Sequence, residues 1–122
     1  MTIYNRGDVV LVNIAFSGSI GYKRRPAVVI STGAFNRAGA KLIVAAITSN
    51  VSAPFRPGDM LLSDWNAAGL LKPSAVRGVL ATVDRADIIR GLGTLSINDF
   101  GGVREGIAYI LGLAVAPSPP TP

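Results

Sequence analysis

Short β-branched, apolar runs separated by turns rich in glycine, proline and asparagine are the feature that most constrains how this chain can fold. Asp8–Ile14 and Lys41–Ser49 are the clearest of these runs, and each predicts a strand. The second run is mostly apolar, which indicates a central strand. Many short strands at such close spacing, followed by one helical segment, predict a small, mostly β barrel with a closing helix.

The remaining elements are predicted from the same patterns. Residues 32–40 are rich in turn-forming residues and predict a turn region. Gly78 interrupts an apolar run and predicts a bulge, and Ser96 is predicted to be the N-cap of the last helix. The other predicted elements are strands over residues 26–31, 60–63, 70–83 and 91–95, a helical turn over 64–69, and a short helix over 84–90 capped by Asp84.

The chain has 122 residues, the size of one domain, and we expect residues 1–114 to form it. The proline-rich stretch over residues 115–122 is predicted to be disordered. The N-terminus is polar and then charged, which predicts no signal peptide. No apolar run reaches the length of about 18 residues that predicts a transmembrane helix. We therefore expect a cytoplasmic protein without a membrane partner.

Histidine and cysteine are both absent from the sequence. The lack of cysteine excludes disulfides and thiolate metal sites. The lack of histidine removes the commonest metal ligand and the commonest general base. We therefore expect no metal site and no cofactor, and any catalysis must use arginine, lysine, carboxylates and hydroxyl groups.

The net charge of +5 is unevenly distributed along the chain. Residues 1–82 hold nine Lys or Arg against three Asp or Glu, whereas residues 83–122 hold three against four. A basic segment of this size is typical of proteins that bind a polyanion, so the partner is expected to be a nucleic acid or an acidic polypeptide.

Three consecutive cations, Lys23, Arg24 and Arg25, precede Pro26 and the apolar run Ala27–Ser31. Pro26 fixes its own φ angle and pushes Arg25 toward an extended conformation, which places the guanidinium at a loop-to-strand junction. A guanidinium held at the rigid end of a buried strand suits phosphate binding, because it offers a planar fork of donors. The alternative is that these cations are only solvated loop residues.

Three polar residues, Thr48, Ser49 and Asn50, follow the apolar part of the predicted central strand. Hydroxyl groups at the end of a buried strand either cap the strand ladder or face a binding site. The aromatic residues Phe16 and Tyr22 precede the three cations, and their rings could stack on bases or pack on the barrel. The residues alone leave both alternatives open.

Six short segments along the chain together form a recognisable pattern. The segments are Gly7–Val12, Lys23–Ile30, Ala45–Ser49, Gly69–Ser74, Thr82–Arg85 and Leu92–Ser96. In this order and spacing they resemble the MazF/PemK family over about residues 6–113.

The resemblance implies a toxin component of a type II toxin–antitoxin system. It implies an SH3-like small barrel with short helices and a C-terminal helix, a fold that the family shares with the CcdB toxins. Most characterised members are ribosome-independent endoribonucleases (mRNA interferases) that cleave single-stranded RNA at specific sequences. The implied partners are therefore single-stranded RNA, a second copy in a homodimer, and a cognate antitoxin with an acidic, initially disordered C-terminal segment.

The resemblance also implies roles for individual residues. Arg25 and Thr48 match the family's two principal catalytic positions, and Arg77 falls where many members carry a basic residue near the RNA groove. Some members have a histidine near Tyr22 and an aspartate at the position of Val79, and this chain has neither. The residues predicted to bind RNA are Phe16, Tyr22, Lys23, Arg24, Ser49, Asn50 and Arg77.

The implied reaction is metal-independent attack of a 2′-hydroxyl on the adjacent phosphate, which yields a 2′,3′-cyclic phosphate. Arg25 and Thr48 would stabilise the charge that develops on the phosphoryl oxygens. Two other functions compete with this one. A CcdB-like topoisomerase poison is expected to need C-terminal aromatic residues, but the last aromatic here is Tyr109. A non-catalytic barrel that only binds a partner is the second alternative.

Overall fold

The structure, a computed structural model, describes residues 3–15, 21, 23–52 and 55–113. It contains one six-stranded antiparallel sheet and two α-helices. Predictions that concern Phe16, Tyr22 and the proline-rich tail lie outside the described residues. The elements are β1 (Asp8–Ile14), β2 (Lys23–Val29), α1 (Gly33–Ala38), β3 (Lys41–Thr48), β4 (Met60–Leu61), β5 (Ala75–Asp84), β6 (Ile88–Thr94) and α2 (Ile97–Ile110).

The strand order is β4-β5-β3-β2-β1-β6, with β4 and β6 at the two edges. Among the residues that the structure describes, the sheet is therefore not closed by hydrogen bonds, although the predicted mostly β fold with a C-terminal helix is confirmed. The centre of the sheet is formed by β3 and β2, and each of them pairs with a neighbouring strand on both sides. The predicted central position of the Lys41–Ser49 run is thus confirmed, with β3 ending at Thr48.

Side chains alternate between two cores because successive strand residues point to opposite faces of a sheet. The helix-side core contains Val28, Ala45 and Ile47 together with Val103 of α2. The far core contains the intervening residues of the same strands, among them Val10, Val12, Ala27, Val29 and Val44. This alternation decides which face each polar residue at the strand ends can reach.

Strand β2 begins at Lys23, three residues before the predicted start at Pro26. Its first residues pair with β1, with Lys23 opposite Ile14 and Pro26 opposite Leu11. The prediction was wrong here because it treated the cations as loop residues. The partner strand supplies the hydrogen-bond register that local propensity did not indicate. Arg24 and Arg25 therefore lie on a strand and have fixed faces.

Residues 33–38 form the short helix α1, so the prediction of a simple turn over residues 32–40 was wrong. The Thr32 side chain caps the helix by accepting a hydrogen bond from the Phe35 N–H at 3.2 Å. The side chain of Asn36 is buried, accepts a hydrogen bond from the Ser31 hydroxyl and donates to the Tyr4 carbonyl at 2.9 Å. A satisfied buried amide stabilises this turn of helix, which sequence patterns do not reveal.

Strand β5 begins at Ala75, whereas the prediction started it at Leu70. The predicted bulge at Gly78 is confirmed by the pairing with β3. Ala45 is opposite Leu80, but Ile47, two residues on, is opposite Val76. Strand β5 therefore carries two extra residues in this interval, which includes Gly78.

The segment after β5 is not the short helix predicted over residues 84–90. Only Arg85–Asp87 form a 3₁₀ turn, and Ile88 already belongs to β6. The Asp84 side chain makes no cap and instead accepts a hydrogen bond from Lys41 Nζ at 2.6 Å. The predicted strand over residues 91–95 is therefore longer at its start and ends at Thr94.

The predicted cap of the last helix is confirmed, since the Ser96 hydroxyl accepts a hydrogen bond from the Asp99 N–H at 3.1 Å. Helix α2 buries Val103 in the helix-side core and ends at Ile110. Within the described part of the chain, no helix is both long and apolar enough to cross a bilayer.

Candidate functional site

A cavity of about 520 Å³ lies at the end of the sheet where β2 and β3 stop pairing. The last recorded pair of these strands is Ala27 with Ala46. The strand ends beyond that pair, the loop over residues 70–74 and strand β6 together form the cavity wall. Its charged and hydroxyl-bearing lining residues are Arg24, Arg25, Thr48, Ser49, Lys72, Ser74 and Arg90.

The cavity brings Arg25 and Thr48 together. The last recorded β2–β3 pair is Ala27 with Ala46, and Arg25 and Thr48 each lie two residues beyond it, where both line the cavity. Strand alternation places both residues on the face of the far core, whereas the lining residues Ile47, Leu70 and Leu92 belong to the helix-side core. Arg25 and Thr48 therefore line the cavity at the end of the sheet, beyond the last β2–β3 pair. Neighbouring strand ends thus present a guanidinium and a hydroxyl to the same cavity.

The guanidinium of Arg25 has one nitrogen, Nε, that lacks a hydrogen-bond partner in the protein. The Nε atom is buried and makes no hydrogen bond. Leaving a buried donor unpaired costs about 1–3 kcal/mol, so most proteins avoid it. Because Arg25 lines the cavity, its guanidinium can offer donors to an acceptor that enters there.

The hydroxyl of Thr48 is oriented by the backbone N–H of Asn50. Oγ1 accepts a hydrogen bond from the Asn50 N–H at 3.1 Å. Because this bond occupies a lone pair of the oxygen, the hydroxyl hydrogen remains available to donate to an acceptor in the cavity. Thr48 is therefore suited to donate a hydrogen bond to an oxyanion.

The cavity is strongly basic. Its lining contains the cations Arg24, Arg25, Lys72 and Arg90, and none of its lining residues is acidic. Within the described residues none of these four cations makes an ion pair. Like charges gathered without counter-charges repel one another, and an anionic ligand would relieve that repulsion.

Arg90 and Lys72 were not predicted as site residues. Arg90 pairs with Leu11, while Ile88 pairs with Val12, so Ile89 is an extra residue in β6. Without this bulge Ile88 and Arg90 would share a face; with it, Ile88 packs in the far core and Arg90 lines the cavity. No local pattern in the sequence marks that bulge.

The position of Lys72 is set by a well-anchored loop. The buried Ser74 hydroxyl donates a hydrogen bond to the Lys72 carbonyl at 2.8 Å, and the Ser74 carbonyl accepts one from the Leu62 N–H at 2.9 Å. The N–H of Leu70 donates to the Trp65 carbonyl at 3.1 Å. The pattern Leu71-Lys72-Pro73-Ser74 after a glycine turn was the signal that could have identified Lys72.

Only some of the predicted RNA-binding residues line the cavity. Arg24 and Ser49 line the cavity with Arg25 and Thr48, whereas Lys23, Asn50 and Arg77 do not line it. The Asn50 side chain accepts a hydrogen bond from the Ser52 hydroxyl at 3.0 Å. Phe16 and Tyr22 are outside the described residues.

Arg77 is engaged in contacts of its own beside the site. Its Nη1 lies 2.8 Å from Asp59 Oδ2, its Nη2 donates to the Asn50 carbonyl at 3.3 Å, and its guanidinium lies 4.7 Å from the centre of the Phe55 ring. The observed effect of Arg77 is therefore to support the segment that follows Thr48. Its contact with RNA stays a prediction.

The carboxylate of Asp59 is buried, with its side chain only 4% exposed. Burial raises the pKa of Asp59, but hydrogen bonds from the Arg56 N–H, from Arg77 and from the Gly78 N–H outweigh it. The pKa of Asp59 is therefore held below its ordinary value.

We expect Asp59→Asn to destabilise the protein by about 3 kcal/mol at neutral pH, because it removes the charged partner of a largely buried guanidinium. A lowered folded-state pKa contributes stability that is present above the ordinary carboxyl value of about 4 and is lost as the pH falls through the folded value. The stability difference between wild type and variant should therefore shrink below about pH 4. Urea denaturation from pH 7 to pH 3 measures it, with exposed Asp64→Asn as the control; a pH-independent difference contradicts the assignment.

Among the described residues, no group of three or more His, Cys, Asp or Glu side chains could hold a metal ion. The cavity chemistry that the chain itself provides is therefore that of guanidinium, ammonium and hydroxyl groups.

Comparison with known proteins identifies the family. The sequence pattern of the PemK-like, MazF-like toxins of type II toxin–antitoxin systems matches residues 5–111. No curated protein matches the chain significantly.

Several solved structures share the fold. An endoribonuclease from a mycobacterial species, in complex with its cognate antitoxin, is 20% identical with a TM-score of 0.73, covering 93% of this chain and 99% of its own. A MazE–MazF complex from Deinococcus radiodurans is 21% identical with a TM-score of 0.73, covering 93% of this chain and 100% of its own. The Mycobacterium tuberculosis toxin MazF-mt6 is 18% identical with a TM-score of 0.72, covering 88% of this chain and 99% of its own.

The family match extends from β1 through the end of α2 and includes both strand ends that meet at the cavity. It confirms the resemblance inferred from the short segments of the sequence. The chain belongs to the PemK-like, MazF-like toxins of type II toxin–antitoxin systems.

Proposed function

We propose that this toxin is an endoribonuclease that cleaves single-stranded RNA, with Arg25 and Thr48 as its catalytic residues. The observation that carries the proposal is one basic cavity that contains both an Arg25 guanidinium with an unpaired buried Nε and an oriented Thr48 hydroxyl. The structural neighbours named as endoribonucleases support it at the level of the family.

In the proposed reaction the 2′-oxygen attacks the adjacent phosphorus, and the bond from phosphorus to the 5′-oxygen breaks. The products are a 2′,3′-cyclic phosphate and a 5′-hydroxyl end. Arg25 donates hydrogen bonds to the non-bridging oxygens as their charge grows, and Thr48 donates one to the same group. Both donors already lie in the lining of the cavity, so little reorganisation is needed at the transition state.

Proton transfer in this proposal uses water. A guanidinium with a pKa above about 12 is a poor acid near neutrality, so Arg25 stabilises charge and does not give up a proton. The sequence contains no histidine, and no carboxylate is among the cavity's lining residues. In this proposal the 2′-hydroxyl proton leaves to water, and the 5′-oxygen takes a proton from water.

RNA binding is proposed to begin with electrostatic attraction between the cations of β2 and the phosphates of the RNA. Arg24 lines the cavity beside Arg25, and Lys23 is exposed at the start of the same strand, where it can contact a neighbouring phosphate. Ser49 adds a hydroxyl to the cavity wall. The proposal keeps the other predicted RNA contacts, which are stacking by Phe16 and Tyr22 and polar contacts from Asn50 and Arg77.

The proposed partners are a second copy of the chain and an antitoxin with an acidic segment, and the proposed location is the cytoplasm. Two of the solved neighbours are complexes with an antitoxin. The exposed basic lining of the cavity would attract acidic side chains as it attracts phosphate. Large apolar side chains that are exposed in the single chain support a dimer; among them are Leu61, Leu71, Ile97, Tyr109 and Leu113.

The test is incubation of the purified protein with a long single-stranded RNA, with and without EDTA. We expect discrete cuts whose ends carry a 2′,3′-cyclic phosphate and a 5′-hydroxyl, at the same rate in both samples. A duplex of the same sequence should be cut far more slowly, because its phosphates and bases cannot enter the cavity.

Uncut RNA would reject the endoribonuclease in favour of a toxin that only binds its target. Cuts that disappear with EDTA would reject the metal-independent mechanism. Supercoiled DNA and a topoisomerase in a parallel sample test the remaining alternative, for which trapped cleavage complexes are the expected product.

A further inference from the structure

We propose that Lys72 and Arg90 form a second phosphate subsite, so that the cavity holds two successive phosphates of one strand with the base between them. This inference rests on the proposed function and deepens it by defining how much of the substrate the cavity contacts. Lys72 and Arg90 position the strand and take no part in the chemistry.

The separation of the cations supports two subsites. Leu11 of β1 pairs with Pro26 of β2 on one side and with Arg90 of β6 on the other. Adjacent strands lie about 4.8 Å apart, so the backbone at Arg90 is roughly 10 Å from the backbone of β2. One phosphodiester carries a single negative charge and cannot compensate all four cations that line the cavity, so Lys72 and Arg90, which lie away from β2, are left for a second phosphate.

The surface between the two sets of cations is apolar. Leu11, Leu70 and Leu92 line the cavity together with Ile47. Apolar side chains suit the face of a nucleobase, which is removed from water on binding. A basic edge, an apolar floor and a second basic edge therefore follow the order of phosphate, base and phosphate along a single strand.

An acidic peptide fits this arrangement less well. An extended peptide gains affinity mainly by adding its backbone hydrogen bonds to an exposed strand edge. Strand β1, which contributes Leu11 to the floor, is paired on both sides by β2 and β6, so a peptide could pair with β6 only along its outer edge, on the side away from Leu11. A nucleotide needs only cations for its phosphates and an apolar surface for its base.

Lys72 and Arg90 are also free to bind. Both are exposed, and within the described residues neither makes an ion pair. Their backbones are nevertheless fixed, Lys72 by the Ser74 hydrogen bond and Arg90 by its strand pairing. The side chains of Lys72 and Arg90 can therefore contribute to ligand binding without being required for folding.

The experiment measures binding of a mixed-sequence 2′-O-methyl oligoribonucleotide, which lacks the attacking hydroxyl and cannot be cleaved, at several salt concentrations. For K72Q/R90Q we expect affinity to fall by about tenfold and the slope of log affinity against log salt to become shallower by about 0.7, the value for one phosphate of a single strand. The control R37Q/R104Q removes the same charge from two exposed positions outside the cavity lining. Its slope should match that of the wild type.

Cleavage kinetics give a second measurement. K72Q/R90Q should raise KM for a cleavable RNA and leave kcat unchanged. A substrate with one uncharged methylphosphonate linkage beside the cleavage site should lose affinity for the wild type but not for the variant. The two changes should therefore be non-additive.

The outcomes separate this inference from the proposed function. A wild-type protein that cleaves RNA, with K72Q/R90Q indistinguishable from R37Q/R104Q, overturns the second subsite and leaves the endoribonuclease intact. A shallower salt slope in a protein that cleaves no RNA supports the subsite and rejects the enzyme. An unchanged oligonucleotide slope combined with lost affinity for a Glu-rich peptide assigns these residues to a peptide site and overturns the inference.

Discussion

Replacing Arg25 with methionine is expected to remove nearly all RNA cleavage and yet to leave the fold as stable as the wild type, or more stable by about 1 kcal/mol. Methionine keeps an unbranched stem that can pack in the same space. It removes the buried Nε that has no hydrogen-bond partner. Because the unpaired donor costs free energy in the free protein, its loss relieves that penalty.

The loss of activity follows from the chemistry proposed for the cavity. Removal of one preorganised donor to a developing oxyanion typically costs about 3–4 kcal/mol of barrier, a reduction of roughly 10²–10³ in kcat. Thr48→Val removes the hydroxyl with little change of shape and should reduce kcat by a similar factor. If both donors act on the same phosphate, the double variant should be little worse than either single variant.

The measurements are single-turnover cleavage of a long RNA and urea denaturation of each variant. Arg104→Met is the matched control, because Arg104 is exposed on α2 and outside the cavity lining; it should change neither quantity appreciably. Arg25→Lys distinguishes charge from geometry and should recover little activity, since an ammonium cannot present the planar fork of donors. An Arg25→Met protein that cleaves RNA normally, or one that is strongly destabilised, contradicts the role assigned to the guanidinium.

The elements that sequence patterns predicted well are those whose signals are local. Strand β1 was predicted with its observed bounds, because a β-branched run after Arg6-Gly7 marks its start and its end. The cap at Ser96 was also predicted, since a serine directly before a helical apolar pattern is a common N-cap signal. The bulge near Gly78 followed from a glycine inside a strand.

The elements that were missed depend on distant partners. Helix α1 is stabilised by Asn36, whose amide donates to the carbonyl of Tyr4, 32 positions away. The start of β2 at Lys23 is set by pairing with β1. The sequence within either segment does not indicate these contacts. Tertiary contacts, and not local propensity, therefore determine that α1 forms and where β2 begins.

The site was predicted in part for the same reason. Arg25 and Thr48 belong to two strands that were recognised, and both line the cavity where the β2–β3 pairing stops. Arg90 was missed because the bulge at Ile89 decides which face it occupies. A residue whose orientation depends on one extra residue in a strand cannot be assigned to a site before the register is known.

The second large effect is expected at the contact that holds the cavity wall to the sheet. Gly69 and Gly93 meet where the turn before Leu70 crosses β6. A Cβ added at Gly93 would lie 2.4 Å from the Ala68 carbonyl oxygen, and one added at Gly69 would lie 2.0 Å from the Leu92 carbonyl oxygen. Both obstacles are backbone atoms, which cannot move aside as a flexible side chain can. Gly69 also has a φ of +87°, which disfavours any other residue.

Gly93→Ala should therefore lower stability by about 2–3 kcal/mol and the Tm by on the order of 10 °C, the larger end of the effects of overpacking. The clash separates the turn from β6, so the loop that carries Lys72 should move away from Arg90 and RNA affinity should fall as well. Gly91→Ala is the control on the same strand, because nothing lies within 4 Å of its added Cβ. It should be neutral or slightly stabilising, since alanine restricts the unfolded chain. If thermal melting and oligonucleotide binding show the two variants to be alike, the direct backbone contact does not hold the cavity wall.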